Sequence, residues 1–291
     1  YGRQNITSAD IDAVVEVLKS PLLTQGPIVP LFEADVSKYV GTQFGVAMNS
    51  ATSALHAAAV ALGLTKDDFL WTSPITFVAS ANCGLYCGAE IDFVDIDPRT
   101  FNICVDTLKA KLIEAEKAGK LPKILVVVHM AGQSANMRSI HALSQKYNFK
   151  IIEDASHAIG GSYLNQKVGS CQYSDVTVFS FHPVKIITTG EGGMALTNNK
   201  SIAQKMMNFR SHGITRDPDM WTNASNDVWY YEMQELGLNY RLTDLQAALG
   251  LSQLKDIKRN IDKRNELAQN YNNMLDTEKL VLPYVRECNV S

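Results

Sequence analysis

Long hydrophobic runs are missing from this chain. No stretch approaches the ~20 apolar residues a membrane-crossing helix needs, and the opening YGRQNITSAD lacks the apolar core of a secretory signal. No membrane association is expected, and the cytoplasm is the expected address. An excess of one charge is also missing. Twenty-seven Lys and Arg stand against 30 Asp and Glu, a net charge of −3, so nothing points to nucleic acid or an anionic lipid surface. Cysteine is sparse and odd in number. Cys83, Cys87, Cys104, Cys171 and Cys288 include no CxxC pair, which argues against a disulfide frame or a zinc site and for reduced thiols. His56, His129, His141, His182 and His212 have no metal-ligand spacing, so no metal is expected. GxGxxG, GxxxxGK[ST] and HExxH are absent, as are internal repeats and low-complexity tracts.

What is present is an ordinary globular composition, 46% hydrophobic and 20% charged over 291 residues. That is enough for one large domain and part of a second. Strands and helices alternate. Residues 8–20 carry a helical stripe of Ile11, Val14, Val15 and Leu18, with Ser8 available as a cap. Residues 22–30, interrupted by Gly26, Pro27 and Pro30, read as a loop. Strands are expected at 44–49, 68–73, 90–95, 124–130 and 149–154, and helices at 50–62, 76–87, 105–118 and 136–147. Continuous apolar strands with helical crossovers predict an α/β fold whose mostly parallel sheet is covered on both faces. Residues 215–235 look like a polar and aromatic excursion, and 241–275 carry a long helical pattern.

Chemistry concentrates in the stretch VTVFSFHPVKIITTGEGGMALT, residues 176–197. It sets Lys185 on a polar, glycine-bearing turn between two apolar runs. Burial disfavours an ammonium ion, and a neutral lysine amine can form a Schiff base with an aldehyde. Asp154 closes another apolar strand, and the pair Lys185 and Asp154 is what pyridoxal phosphate requires of its protein. Ligands gather at the carboxyl ends of strands in such sheets, and further segments stand at such ends. Asn49-Ser-Ala-Thr-Ser opens a helix directly after a strand; it offers free N–H groups to a phosphate, or is plain capping by Ser50 or Thr52. Phe77 either stacks on a flat heterocycle or fills the core. Asp154 either pairs with a protonated pyridine nitrogen or caps the next turn. His157 either contacts the ring or is structural. Ser180 could offer its hydroxyl to the phosphate, and Gly190, Gly192 and Gly193 let the backbone turn beside the ligand.

These segments, with LTQG (23–26), TSPITFVASAN (72–82), EDASHAIG (153–160), SFHPVKIITTGEGG (180–193), FRSHG (209–213) and GLNYRLTDLQAALG (237–250), resemble the DegT/DnrJ/EryC1/StrS family of pyridoxal-phosphate nucleotide-sugar aminotransferases along nearly the whole chain. The resemblance implies a fold-type I, aspartate aminotransferase-like architecture. Residues 1–250 would form the cofactor-binding large domain, and residues 251–291 a linking helix and the start of a C-terminal small domain that is incomplete here. It implies Lys185 as the Schiff-base lysine and Asp154 as the pyridinium partner. Phe77 would lie on the ring and His157 beside it, with Ala51, Thr52 and Ser180 at the phosphate. Asn239 would reach the cofactor phosphate of the neighbouring subunit in a homodimer with shared active sites. Thr24 and Gln25 would lie near the sugar.

The donor implied is L-glutamate and the acceptor a nucleotide-linked keto-sugar. YGRQ, SFHPVK and the HGITRDP insertion are similar to the branch that aminates C4 of a UDP-linked 4-keto-6-deoxy-N-acetylhexosamine for pseudaminic acid-type glycans. GDP-perosamine-type and dTDP-sugar substrates are the alternatives. Family members that dehydrate sugars carry histidine where Lys185 stands, which argues against that reaction. A non-catalytic binder of cofactor or sugar nucleotide is the remaining reading.

Overall fold

The computed structural model describes residues 3–223, 225 and 227–290. Tyr1 and Gly2 of the opening motif, Ala224 and Asn226 of the aromatic excursion, and Ser291 lie outside the described residues. The chain begins with α1 (Ser8–Lys19). Thr7, not Ser8, is its cap: Thr7 and Asp10 exchange side-chain and backbone hydrogen bonds in a reciprocal box. α2 (Ile28–Val40) follows. The expected loop at 22–30 therefore ends at Pro27. Pro30 sits in the first helical turn, where a missing N–H leaves no hydrogen bond unmade.

Then come β1 (Phe44–Met48), α3 (Ala51–Ala61), β2 (Phe69–Thr72), α4 (Ala79–Tyr86), β3 (Glu90–Phe93), α5 (Val105–Ala118), β4 (Ile124–Val128), α6 (Met137–Tyr147) and β5 (Lys150–Asp154). A small hairpin, β6 (Ser162–Tyr163) and β7 (Gln166–Lys167), precedes β8 (Val176–Ser180), β9 (Gly193–Thr197) and α7 (Lys200–Phe209). The excursion contains two short paired strands, β10 (Ile214–Thr215) and β11 (Glu232–Met233). Residues 241–275 are two helices and not one: α8 (Asp244–Lys255) and α9 (Ile257–Met274) meet at Asp256. β12 (Asn289–Val290) pairs with β6.

Seven strands form the central sheet in the order β1-β9-β8-β5-β4-β2-β3. The pairs among β8, β5, β4, β2 and β3 are parallel, and β9 runs antiparallel to both β1 and β8. The expected mostly parallel α/β sheet is thus present, and the carboxyl ends of β1, β2, β4, β5 and β8 share one edge. Helices cover both faces. α3 packs on the sheet through Ala54, Ala57 and Ala58, all fully buried. Its small side chains let the helix lie close to the strands; a leucine at one of them would overpack the layer at a cost of about 1–3 kcal/mol. Leu108, Leu112 and Ile140 of α5 and α6 fill the opposite face against Leu125, Val127 and Ile151.

Two of the quoted motifs are explained by packing. Asp244, fully buried at the start of α8, accepts hydrogen bonds from the N–H groups of Gly26 and Ile28 and so clamps the LTQG loop. A Cβ at Gly26 would stand 2.2 Å from that carboxylate, so only glycine fits. Arg210 of FRSHG pairs with Glu33 and donates to the carbonyl of Ala47 (2.6 Å), tying α2 to β1. The five cysteines are free thiols. Among the described residues no helix is long and apolar enough to cross a membrane.

Candidate active site

A cavity of about 750 Å³ opens at the shared carboxyl edge of the sheet. Ala51, Thr52, Phe77, Asp154, His157, Ser180 and Lys185 all line it, although they come from separate segments of the sequence. A second cavity of the same volume lies between α1 and α8 and contains none of the expected site residues.

The first wall is the start of α3. Ser50 accepts the N–H of Ser53, while Ala51 and Thr52 occupy the first helical positions, whose N–H groups have no acceptor within the helix. Capping and anion binding, posed as alternatives, are thus both accommodated: Ser50 caps, and the N–H groups of Ala51 and Thr52 stay available with the positive end of the helix dipole. Gly193 faces Ser180 across the β8–β9 pair, and a Cβ there would lie 2.4 Å from the nitrogen of Ala51. Glycine at this position is what lets the helix start approach the strand that carries Ser180.

Phe77 is not a core residue. It is 72% exposed and precedes α4, which starts later than the expected 76–87. A large aromatic left open at a cavity mouth is suited to covering a flat ligand.

Asp154, at the end of β5, is 5% exposed. The N–H and Oγ–H of Ser156 donate to its Oδ1 (3.3 and 2.6 Å), and the Oγ–H of Ser80 donates to its Oδ2 (2.6 Å). A carboxylate has about four acceptor positions, so one remains. No ion pair involving Asp154 occurs among the described residues. The local-turn reading of Asp154 is realised by Ser156, and with Ser80 on the other oxygen one acceptor position is left open toward the cavity.

Lys185 is half-buried on the turn after β8. Desolvation holds its amine below the ordinary lysine range. The Asp154 charge opposes that, and the Arg264 charge adds to it. Arg264, on α9, also donates to the carbonyls of Val184 (3.4 Å) and Lys185 (3.1 Å) and holds the turn from outside. Desolvation of the His157 ring in the cavity wall, helped by the Lys185 charge and opposed by Asp154, keeps that imidazole below its ordinary range.

These residues fit pyridoxal phosphate. The buried carboxylate with a spare acceptor matches a protonated ring nitrogen, the free N–H groups and Ser180 match a phosphate, and a half-buried amine matches an aldehyde.

Thr24, Gln25 and Asn239 are not brought to this cavity. Thr24 bridges Thr243, Asn239 bridges Ser211, and all three side chains are exposed. Other lining residues had not been anticipated from the sequence: Thr76, Met130, Ser156, Glu191 and Gln246. Ser156 carried a signal, since Asp-x-Ser spacing favours a local side-chain turn. Gln246 is the third residue after its cap Thr243, a box legible in TDLQ. The others carried none.

The profile of the DegT/DnrJ/EryC1/StrS aminotransferase family matches residues 4–287. The UDP-4-amino-4,6-dideoxy-N-acetyl-beta-L-altrosamine transaminase of Campylobacter jejuni strain 81-176 is 43% identical over 272 residues, which are 93% of this chain and 68% of that protein. Helicobacter pylori PseC, an aminotransferase of pseudaminic acid biosynthesis, superposes with a TM-score of 0.85 at 37% identity, covering 94% of this chain and 69% of that one. Spr1654 of Streptococcus pneumoniae, solved in its PLP form, superposes with a TM-score of 0.81 at 26% identity, over 94% of this chain and 70% of that one.

Proposed function

The chain belongs to the DegT/DnrJ/EryC1/StrS aminotransferase family, and we propose that it moves the amino group of L-glutamate to C4 of a UDP-linked 4-keto-6-deoxy-N-acetylhexosamine with pyridoxal phosphate as cofactor. The observation that carries this reading is the convergence of Lys185, Asp154, Ser180 and the α3 start on one cavity. The names of the Campylobacter and Helicobacter relatives support the choice of sugar. Residues 1–250 supply every direct contact to the cofactor in this reading.

Bound there, the cofactor supplies an aldehyde for amine exchange and a protonated ring that withdraws electrons from the carbon being deprotonated. Asp154 would accept the ring N–H in its remaining acceptor position and keep that nitrogen protonated. The N–H groups of Ala51 and Thr52, with the Ser180 hydroxyl, hold the phosphate. Phe77 would cover the ring and His157 would contact it, since both line the cavity. Lys185 would hold the aldehyde group, and its freed amine would serve as the base at the α-carbon of glutamate in one half-reaction and as the acid at C4 of the sugar in the other. Its lowered proton affinity suits this work, because an amine can take up a proton only in its unprotonated form. The exposed Asn239, Thr24 and Gln25 are available to a second subunit, consistent with a homodimer in which Asn239 reaches the partner's phosphate site and the loop at Thr24 and Gln25 approaches a sugar.

The test is a coupled assay for 2-oxoglutarate with glutamate and UDP-, GDP- or dTDP-linked 4-keto-sugars. Release of 2-oxoglutarate is expected with the UDP-linked N-acetylated sugar. A normal rate in Lys185→Ala would overturn the mechanism, and preference for a GDP- or dTDP-sugar would overturn the choice of nucleotide.

A further inference from the structure

Asp154 has a two-fold, broadly distributed terminal torsion, so its carboxylate needs an external pin if it is to meet a ring nitrogen at a fixed angle. Ser156 cannot supply that pin alone, because it sits on the same turn and moves with Asp154. Among the described residues, the donor that reaches the carboxylate from another element is Ser80 on α4. We propose that Ser80 is a positioning residue that fixes the rotation of the Asp154 carboxylate and so aims its open acceptor position into the cavity. This rests on the cofactor reading given above.

Three observations carry it. Ser80 is fully buried, and its Oγ lies 2.6 Å from Asp154 Oδ2, the length of a strong hydroxyl–carboxylate bond. Its hydroxyl is itself oriented. Thr76 Oγ1 lies 2.8 Å from Ser80 Oγ, and because Ser80 spends its hydrogen on the carboxylate, Thr76 is the donor of that second bond. The result is a directed chain, Thr76 to Ser80 to Asp154, in which each bond polarises the next. The chain also starts beside Phe77. The segment that presents the aromatic ring to the cavity is therefore tied to the carboxylate on β5, and the two groups that would grip opposite features of one heterocycle are held in register.

The proposal is tested by the dissociation constants of two probes, pyridoxal phosphate and its analogue in which carbon replaces the ring nitrogen. Both are titrated into wild-type protein, Ser80→Ala and Thr76→Ala by fluorescence quenching. Ser80→Ala is expected to weaken pyridoxal phosphate about tenfold, as for loss of a hydrogen bond to a charged group, but to change the analogue less than about twofold. Thr76→Ala is expected to act in the same direction and less strongly. Equal weakening of both probes by Ser80→Ala would assign the serine a merely structural role and overturn the proposal, as would no weakening of either. The cofactor-free melting curve of each variant reports folding independently. Failure of wild-type protein to bind pyridoxal phosphate is a separate outcome, which overturns the cofactor reading and this proposal with it.

Discussion

Glu153 and Asp154 are neighbours on one strand, and the protein uses them for opposite purposes. Alternation along β5 sends their side chains to different faces of the sheet. Glu153 goes to the sealed face. There His129 donates from Nε2 (2.6 Å), while Ser174 (2.5 Å) and Thr177 (3.0 Å) donate to the other oxygen. The ring of His129 is fixed in turn, since its Nδ1 accepts the N–H of Ala135 (3.2 Å). Burial pushes the Glu153 carboxyl up, but the His129 contacts and the two hydroxyls outweigh it, and the net shift is downward. Asp154 goes to the cavity face, with an acceptor position left over. Each carboxylate accepts three hydrogen bonds, so the count does not separate them; what does is that the open acceptor position of Asp154 borders a cavity of about 750 Å³, whereas Glu153 borders space of only about 20 Å³.

The sharpest way to break the comparison is at the cavity side. Lys185→Ala should lower aminotransfer by roughly 10³-fold or more, since it removes the acid–base group itself, while leaving the melting curve nearly unchanged. Asp154→Asn should lower turnover by about 10²-fold, because an amide does not stabilise a protonated ring nitrogen. It should also weaken cofactor binding, measurable by titration.

On the sealed side the effects should reverse in kind. Glu153→Gln replaces one acceptor oxygen with a donor, so either His129 Nε2–H meets a donor or the two hydroxyls must turn to accept. A urea melt should report a loss of about 1–3 kcal/mol, with the folded fraction retaining near-normal turnover. The pH dependence has a definite sign. The folded proton affinity of Glu153 is depressed, so its stabilising contribution is complete above the ordinary carboxylate range and is lost as pH falls through that range toward the lower folded value. Wild-type stability should therefore fall on acidification, and the Glu153→Gln curve should be flatter. The smallest effect is expected at Arg264→Gln. Removing that charge should raise the pH midpoint at which Lys185 of the cofactor-free protein reacts with an amine-specific reagent, read by peptide mass spectrometry. A downward shift would contradict the assigned cause.

Much of this was legible in residue order. The strand ends at Asp154 and Ser180, the helix start at Ala51 and the enclosed turn of Lys185 follow from apolar runs broken by small polar residues, and those local patterns survive folding. Three features did not follow. α2 was hidden because Pro27 and Pro30 look like breakers, although a first turn tolerates both. The join between α8 and α9 is a single residue, Asp256, inside an unbroken helical pattern. The role of Ser80 depends on its contact with β5, and that of Glu153 on contacts with His129 just after β4 and with Ser174 and Thr177 at β8, which no local spacing encodes.

The central claim is that Lys185 and Asp154 serve one bound vitamin B6 ring. It is tested most directly by adding pyridoxal phosphate to the protein, reducing with borohydride and mapping the modified peptide. A phosphopyridoxyl mass is expected on Lys185, with less of it in Asp154→Asn under the same conditions. Modification of a different lysine, or none at all, would contradict it.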